Sequence, residues 1–198
     1  METLDSAAVC RVVLTGSEST GKSTLARELA AHYRTVCCAE SVRDYLDQKA
    51  SRAGANSEPD TLVPTVFLTS EDVEPIARAQ IEAEDAACHH ANRILILDTD
   101  LLSTMVYARH YYGECPEWIV AEARRRCAHL YLLMDIDIPW VADPQRDRGD
   151  RREGMQDLFR AALQEIGARS FTIRGSWEER RMEAVRAIDA RLKATKDG

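Results

Sequence analysis

VCRVVLTGSESTGKST, residues 9–24, decides the fold. Its first half is an apolar, β-branched run of strand length, and its second half satisfies G-x-x-x-x-G-K-[ST] from Gly16 to Ser23 without exception. Leu25, Leu29 and Tyr33 then recur at helical spacing. A buried strand, a turn bounded by glycines and an amphipathic helix, in that order, make a phosphate cradle. Gly16 and Gly21 free the backbone to turn, so that N–H groups of Ser17, Glu18, Ser19 and Thr20 face an anion. The helix that opens at Lys22 aims its positive dipole end at the same place. Lys22 supplies a mobile charge for the β- and γ-phosphates of ATP, Ser23 offers its hydroxyl to Mg²⁺, and Thr24 stands beside it at the nucleotide. A random chain of this length shows the motif about one time in a hundred. The strand and helix around it make coincidence rarer still.

Outward from this segment, strand-like and helix-like stretches alternate. Residues 34–39, 93–97, 129–134 and 170–174 read as further strands, the third run (93–97) being continuously apolar as in a strand covered on both faces. Helices are expected over 40–49, from an N-cap at Ser70, over 101–112, from Pro116, over 155–166 and after a Ser176/Glu179 capping box. Residues 50–69, punctuated by Gly54, Asn56, Pro59 and Pro64, read as a long mobile loop. Alternation of this kind implies an α/β fold with a parallel sheet and helices on both faces.

The chain of 198 residues fits one domain, with a core over about 9–192. Its net charge of −7 argues against a dedicated nucleic-acid binder, which needs surplus Lys and Arg to replace phosphate counterions. No apolar run reaches membrane length and no secretory signal is seen. Six cysteines without a C-x-x-C pair fit free thiols in the cytoplasm.

Three further constellations carry chemistry. Asp98 and Asp100 follow the buried run 94–97, at the strand end where α/β proteins place ligands. Asp98 suits a Mg²⁺-bound water. Asp100 can share that crevice as a general base, and either Asp98 or Asp100 could instead cap the helix that begins near Leu101. Glu40 stands just after the second strand, where a carboxylate can accept a substrate hydroxyl proton. Arg43, one turn on, either pairs with it or holds substrate. Finally, Arg146, Arg148, Arg151 and Arg152 fall within seven residues. Beside a phosphate cradle they read as a lid over about 143–153, with Arg146, Arg148 and Arg152 neutralising the charge that spreads over the γ-oxygens.

With these motifs assembled, the chain resembles the ribosylnicotinamide kinase family, known as the kinase domain of a bifunctional bacterial NAD-biosynthesis protein. The likeness rests on the cradle, on Glu40-Ser-Val-Arg43-Asp44-Tyr45, on Ala77-Arg-Ala-Gln80 and on Asp98-Thr-Asp100 with Tyr112-Gly113 after it. Trp140-Val-Ala-Asp143 ahead of the arginines and Gly175-x-Trp177-x-x-Arg180 near the end complete it. The chain leaves no room beyond its core for an adenylyltransferase or helix-turn-helix module, so the resemblance concerns the kinase part. It implies a five-stranded sheet ordered 2-3-1-4-5 and an Arg-rich lid. It also implies transfer of the ATP γ-phosphate to the ribose 5′-hydroxyl of nicotinamide riboside, giving nicotinamide mononucleotide in NAD salvage. Gly175 and Trp177 take the adenine side. Glu40, Arg43, Gln80, Asp98, Asp100, Tyr107 and Tyr112 form the acceptor pocket, with Asp100 the first choice of base and Glu40 the second.

The family places a tryptophan immediately before the Glu of E-x-x-R, suited to stacking on a flat nicotinamide ring. Here that position is Ala39. The acceptor therefore stays open between nicotinamide riboside and another nucleoside or small metabolite. A regulatory P-loop ATPase or nucleotide-gated switch is the alternative of another class; no guanine-reading N-K-x-D is present. Oligomeric state is not written in the sequence.

Overall fold

In the computed structural model, residues 9–55, 68–138 and 152–194 are described, with 52–55 as backbone only. Five strands are present: β1 (Cys10–Thr15), β2 (Cys37–Cys38), β3 (Ile94–Asp98), β4 (Leu130–Met134) and β5 (Ser170–Ile173). Between and after them run α1 (Lys22–Tyr33), α2 (Ser41–Ala55), α3 (Val73–Cys88), α4 (Leu101–Tyr112), α5 (Glu117–Arg125), α6 (Arg152–Glu165) and α7 (Trp177–Ala194). The sheet order is β2-β3-β1-β4-β5, and every pairing is parallel, as expected.

Side chains of a strand alternate between faces, and here both faces are covered. Val13, Leu95, Leu97, Tyr131 and Leu133 pack with Leu102 and Met105 of α4 and Phe159 and Leu163 of α6. Val12, Leu14, Ile94, Ile96, Leu130 and Leu132 pack with Leu25 and Leu29 of α1 and Ala184 and Ile188 of α7. This is why β3 and β4 are buried at every position and read as unbroken apolar runs. Because β1 sits mid-sheet, its carboxyl end opens at the switch point of the sheet, where such folds bind ligands.

Several boundaries differ from the sequence reading, among them the start of α6 at Arg152 rather than 155. β2 is only two residues because Arg34 takes a left-handed conformation (φ 53°) as C-cap of α1, which spends residues 34–36 on the connection. α2 runs on to Ala55, past Lys49. The cap ahead of α3 is Thr69 rather than Ser70: it forms a capping box with Asp72, and Ser70–Asp72 is a 3₁₀ turn leading into the helix. The rest of the expected loop, 56–67, and the lid up to residue 151 lie outside the described residues, as do Arg146 and Arg148.

Candidate functional site

The phosphate loop is built mainly from backbone. Gly16 (φ 118°), Ser19 (φ 53°) and Gly21 (φ 84°) adopt positive φ. A methyl on Gly16 would meet the Met134 carbonyl at 3.0 Å, so both space and φ demand glycine there. Lys22 Nζ lies across the loop, donating to the carbonyls of Gly16 (3.0 Å) and Ser17 (2.8 Å). Thr20 Oγ1 donates to Ser17 O at 2.9 Å and closes the turn.

Two residues not foreseen as site components hold this loop from behind. Gln156 of α6 is fully buried; its Oε1 accepts the Ser17 N–H (3.1 Å) and its Nε2 donates to Met134 O (2.8 Å). The signal for it was a polar residue beside Met155 on the apolar face of an amphipathic helix. Arg180 of α7, also fully buried, reaches Thr20 O at 3.3 Å. Arg152, read as a lid residue, opens α6 and donates to Ser19 O (3.4 Å) and Ile138 O (3.0 Å). It backs the loop rather than reaching over it.

One crevice joins this loop to the expected acceptor side. Glu18, Ser19, Thr20, Lys22, Ser23 and Thr24 line it together with Glu40, Arg43 and Tyr107. Arg27, Val42, Leu46 and Thr99 line it too and were not foreseen. Val42 and Leu46 are spaced i,i+4, one helix face, but their apolar character reads equally as core. Burial raises the Glu40 carboxyl above its ordinary pKa; Lys22 pulls it back, Asp98 pushes it further up, and Arg43 pulls it down. Glu40 therefore sits in the field of both the loop lysine and Asp98. Its link to Arg43 is a 3.5 Å ion pair one turn along.

The two aspartates separate. Asp98 ends β3 in register with Leu14, next to Thr15 at the mouth of the loop. Asp98 Oδ1 and Thr15 Oγ1 are both buried with no partner among the described residues. A buried carboxylate oxygen left unmatched at this edge fits a Mg²⁺ ion or its water, held with the Ser23 hydroxyl.

Asp100 does something else. Its Oδ1 caps α4 by accepting the Leu102 N–H (3.1 Å), and its Oδ2 accepts the Tyr131 hydroxyl at 2.6 Å. Burial, then the charge of Glu84, raises its pKa to about 7 against the pull of Tyr131 and the Leu102 amide. Both Asp100 oxygens are taken up within the fold, so the first choice of base is corrected. The cause is Thr99. Residues i and i+2 of an extended chain share a face, but Thr99 has φ 70°, which breaks the alternation and turns Asp100 inward.

Two other expected pocket residues are corrected as well. Gln80 is buried, with Oε1 on the Ser41 N–H (3.2 Å) and Nε2 on Glu84 (3.1 Å) and Thr99 O (3.5 Å). Its amide is spent joining the turns after β2 and β3, so it positions Glu40's neighbourhood from behind. Tyr112 packs against the cluster that holds Val73, Leu101 and Ile119 and does not line the crevice described. Gly175 lies in the turn between β5 and α7, Trp177 is the first residue of α7, and its ring rests on Gly21.

The profile of the AAA domain family matches residues 11–180. The chain belongs to that family. It is 31% identical over 157 residues to the trifunctional NAD biosynthesis/regulator protein NadR of Escherichia coli (strain K12), covering 78% of this chain and 35% of that protein. The resemblance read from the motifs is thus upheld. The chain corresponds to about a third of that relative's length. Among solved structures it is similar to NadR protein in complex with NAD and AMP-PNP, at 23% identity and TM-score 0.66, over 92% of this chain and 49% of that one. A second NadR protein structure, in complex with NR, gives 22% identity and TM-score 0.64 over the same shares. At these identities the structural likeness shows the fold. Among the described residues no helix is long and apolar enough to cross a membrane.

Proposed function

We propose that the chain is an ATP-dependent phosphotransferase acting on a nucleoside-like acceptor, with nicotinamide riboside, converted to nicotinamide mononucleotide, as the leading candidate. The observation that carries this is a single crevice in which a half-buried carboxylate, Glu40, lines the same wall as the phosphate loop and feels the charge of Lys22. A nucleotide-hydrolysing switch has no need of a second, acceptor-sized wall made by Glu40, Arg43, Leu46 and Tyr107.

In this reading the loop N–H groups and the α1 dipole bind the triphosphate, and Lys22 leaves the Gly16 and Ser17 carbonyls for the β- and γ-phosphates. Ser23 and Asp98 would hold Mg²⁺, which supplies neutralisation of the β,γ-oxygens. Glu40 accepts the proton of the acceptor hydroxyl; that oxygen bonds to the γ-phosphorus as the bond to the β,γ-bridging oxygen breaks and ADP departs. Arg43 keeps Glu40 charged and oriented. Arg146 and Arg148 take the lid role, and Trp177 with Gly175 the base side of ATP. The free thiols and the NAD-linked relatives suit a cytoplasmic enzyme built as one domain.

Ala39 favours a second reading, a kinase of another nucleoside. It is exposed beside Glu40 and offers no ring to a flat base, whereas Tyr107 lines the crevice. Incubation with ATP, Mg²⁺ and a panel of nucleosides, followed by mass analysis, decides between them. Nicotinamide mononucleotide formed in step with ADP is the expected result. Phosphorylation of a different nucleoside alone would establish the second reading, and ATP loss indifferent to every nucleoside would contradict both.

A further inference from the structure

The largest fully buried side chain among the described residues is not an apolar one but Arg180, in the first turns of α7. Each nitrogen of its guanidinium has a partner. Nε donates to Gly175 O (2.9 Å), Nη1 to Thr20 O (3.3 Å), and Nη2 to Asp135 O (3.1 Å) and to the Asp137 carboxylate. The other Asp137 oxygen accepts the Gly175 N–H at 2.6 Å. One cation and its counter-ion thus join three segments: the end of the phosphate loop, the chain leaving β4 and the turn between β5 and α7. Burying an arginine is costly unless every acceptor is in place, and a lysine could not span these positions.

The turn so held carries Trp177. Its ring lies against Gly21, where an added methyl would approach Cζ3 to 2.8 Å, and its Nε1 donates to Glu28 of α1 at 3.1 Å. Sheet order sets the sides. Glu40 follows β2 at one edge, Trp177 follows β5 at the other, and the phosphate loop lies between them after β1. If the acceptor occupies the Glu40 side, the Trp177 side is the one left for the base of ATP.

We propose that Arg180 is a positioning residue for the base of ATP: it fixes the Gly175–Trp177 turn relative to the phosphate loop, so that base and triphosphate bind as one ligand. This rests on the ATP-dependent reading above. The phosphate loop has ties of its own through Gln156 to Ser17, Arg152 to Ser19 and Thr20 to Ser17. Trp177 is also tied to Glu28 of α1 and Ser176 to Glu179, but Arg180 and Asp137 are what join the turn to the phosphate loop's end and to the chain leaving β4. Loosening the pair should therefore weaken recognition of the nucleoside part and spare that of the phosphates.

Calorimetric titration of the full chain with ATP and with tripolyphosphate, at equal Mg²⁺, tests this directly. The unmodified protein should bind both. Arg180→Lys should lose ATP affinity about tenfold or more while tripolyphosphate affinity stays within about twofold. Asp137→Asn, which leaves three carbonyl acceptors in place, should shift in the same sense and decides the matter if Arg180→Lys fails to fold. Parallel losses on both ligands, the signature of a merely structural residue, would overturn the inference, as would unchanged ATP binding in folded variants. Binding of tripolyphosphate but not ATP by the unmodified protein would overturn it together with the ATP reading.

Discussion

Lys22 and Glu40 line the same crevice, but their surroundings are organised by different means. Around Lys22 the active groups are backbone N–H groups, and their directions follow from positive φ at Gly16, Ser19 and Gly21. A short motif can encode such a site, because the conformations at Gly16 and Gly21 select glycine locally. Around Glu40 the active groups are side chains from α2, the β3–α4 connection and α4, brought together only by the sheet. No local pattern says which of several acids faces inward. The phosphate side is therefore a property of one segment and the acceptor side a property of the fold.

That difference predicts unequal sensitivity to mutation. The largest effect should come from Lys22→Ala. With the loop carbonyls and Thr20 still closing the turn, the domain should fold, while phosphoryl transfer falls on the order of 10³- to 10⁵-fold. Steady-state turnover beside a thermal melt checks this. Normal turnover in a folded variant would remove the loop from the chemistry.

A smaller effect probes the acceptor side through pH. Glu40 must be charged to take a proton, and burial raises its pKa, so turnover should fall as pH drops through a value above the ordinary carboxylate range. Arg43 favours the charged form. Replacing it in Arg43→Gln should raise the Glu40 pKa further and move the acid limb of the kcat–pH profile to higher pH. An acid limb that does not move, or moves down, would mean that another group sets it.

The same contrast explains what could be read in advance. The sheet, its helices and the phosphate loop were legible because apolar runs such as 94–97 and the glycines of 16–21 each act locally. Asp98 was legible as the acid ending a buried strand. The cap at Asp100 was legible as an alternative, but its turn away from the crevice was not, nor were the roles of Gln80 and Tyr112. Asp100 was misplaced by one left-handed residue, Thr99, which no propensity marks, since β-branched residues rarely take that conformation. Gln80 looks like a pocket residue but spends its amide on Ser41, Glu84 and Thr99. Arg180 stood within a recognised element, yet only the fold brings Thr20, Asp135 and Asp137 to its guanidinium.

The central claim is that Glu40, and not Asp100, works across the crevice from the phosphate loop, and one paired measurement tests it. Glu40→Gln and Asp100→Asn are compared with the parent for kcat on the best acceptor and for melting temperature. Glu40→Gln should lose about 10²- to 10⁴-fold in kcat with its fold and ATP affinity intact. Asp100→Asn has one acceptor oxygen in place of two, so one of the present bonds is lost or must reverse, and it should lose about 1 kcal/mol of stability while keeping kcat within a few-fold. The reverse pattern, with Asp100→Asn folded but inactive and Glu40→Gln turning over normally, would contradict the account.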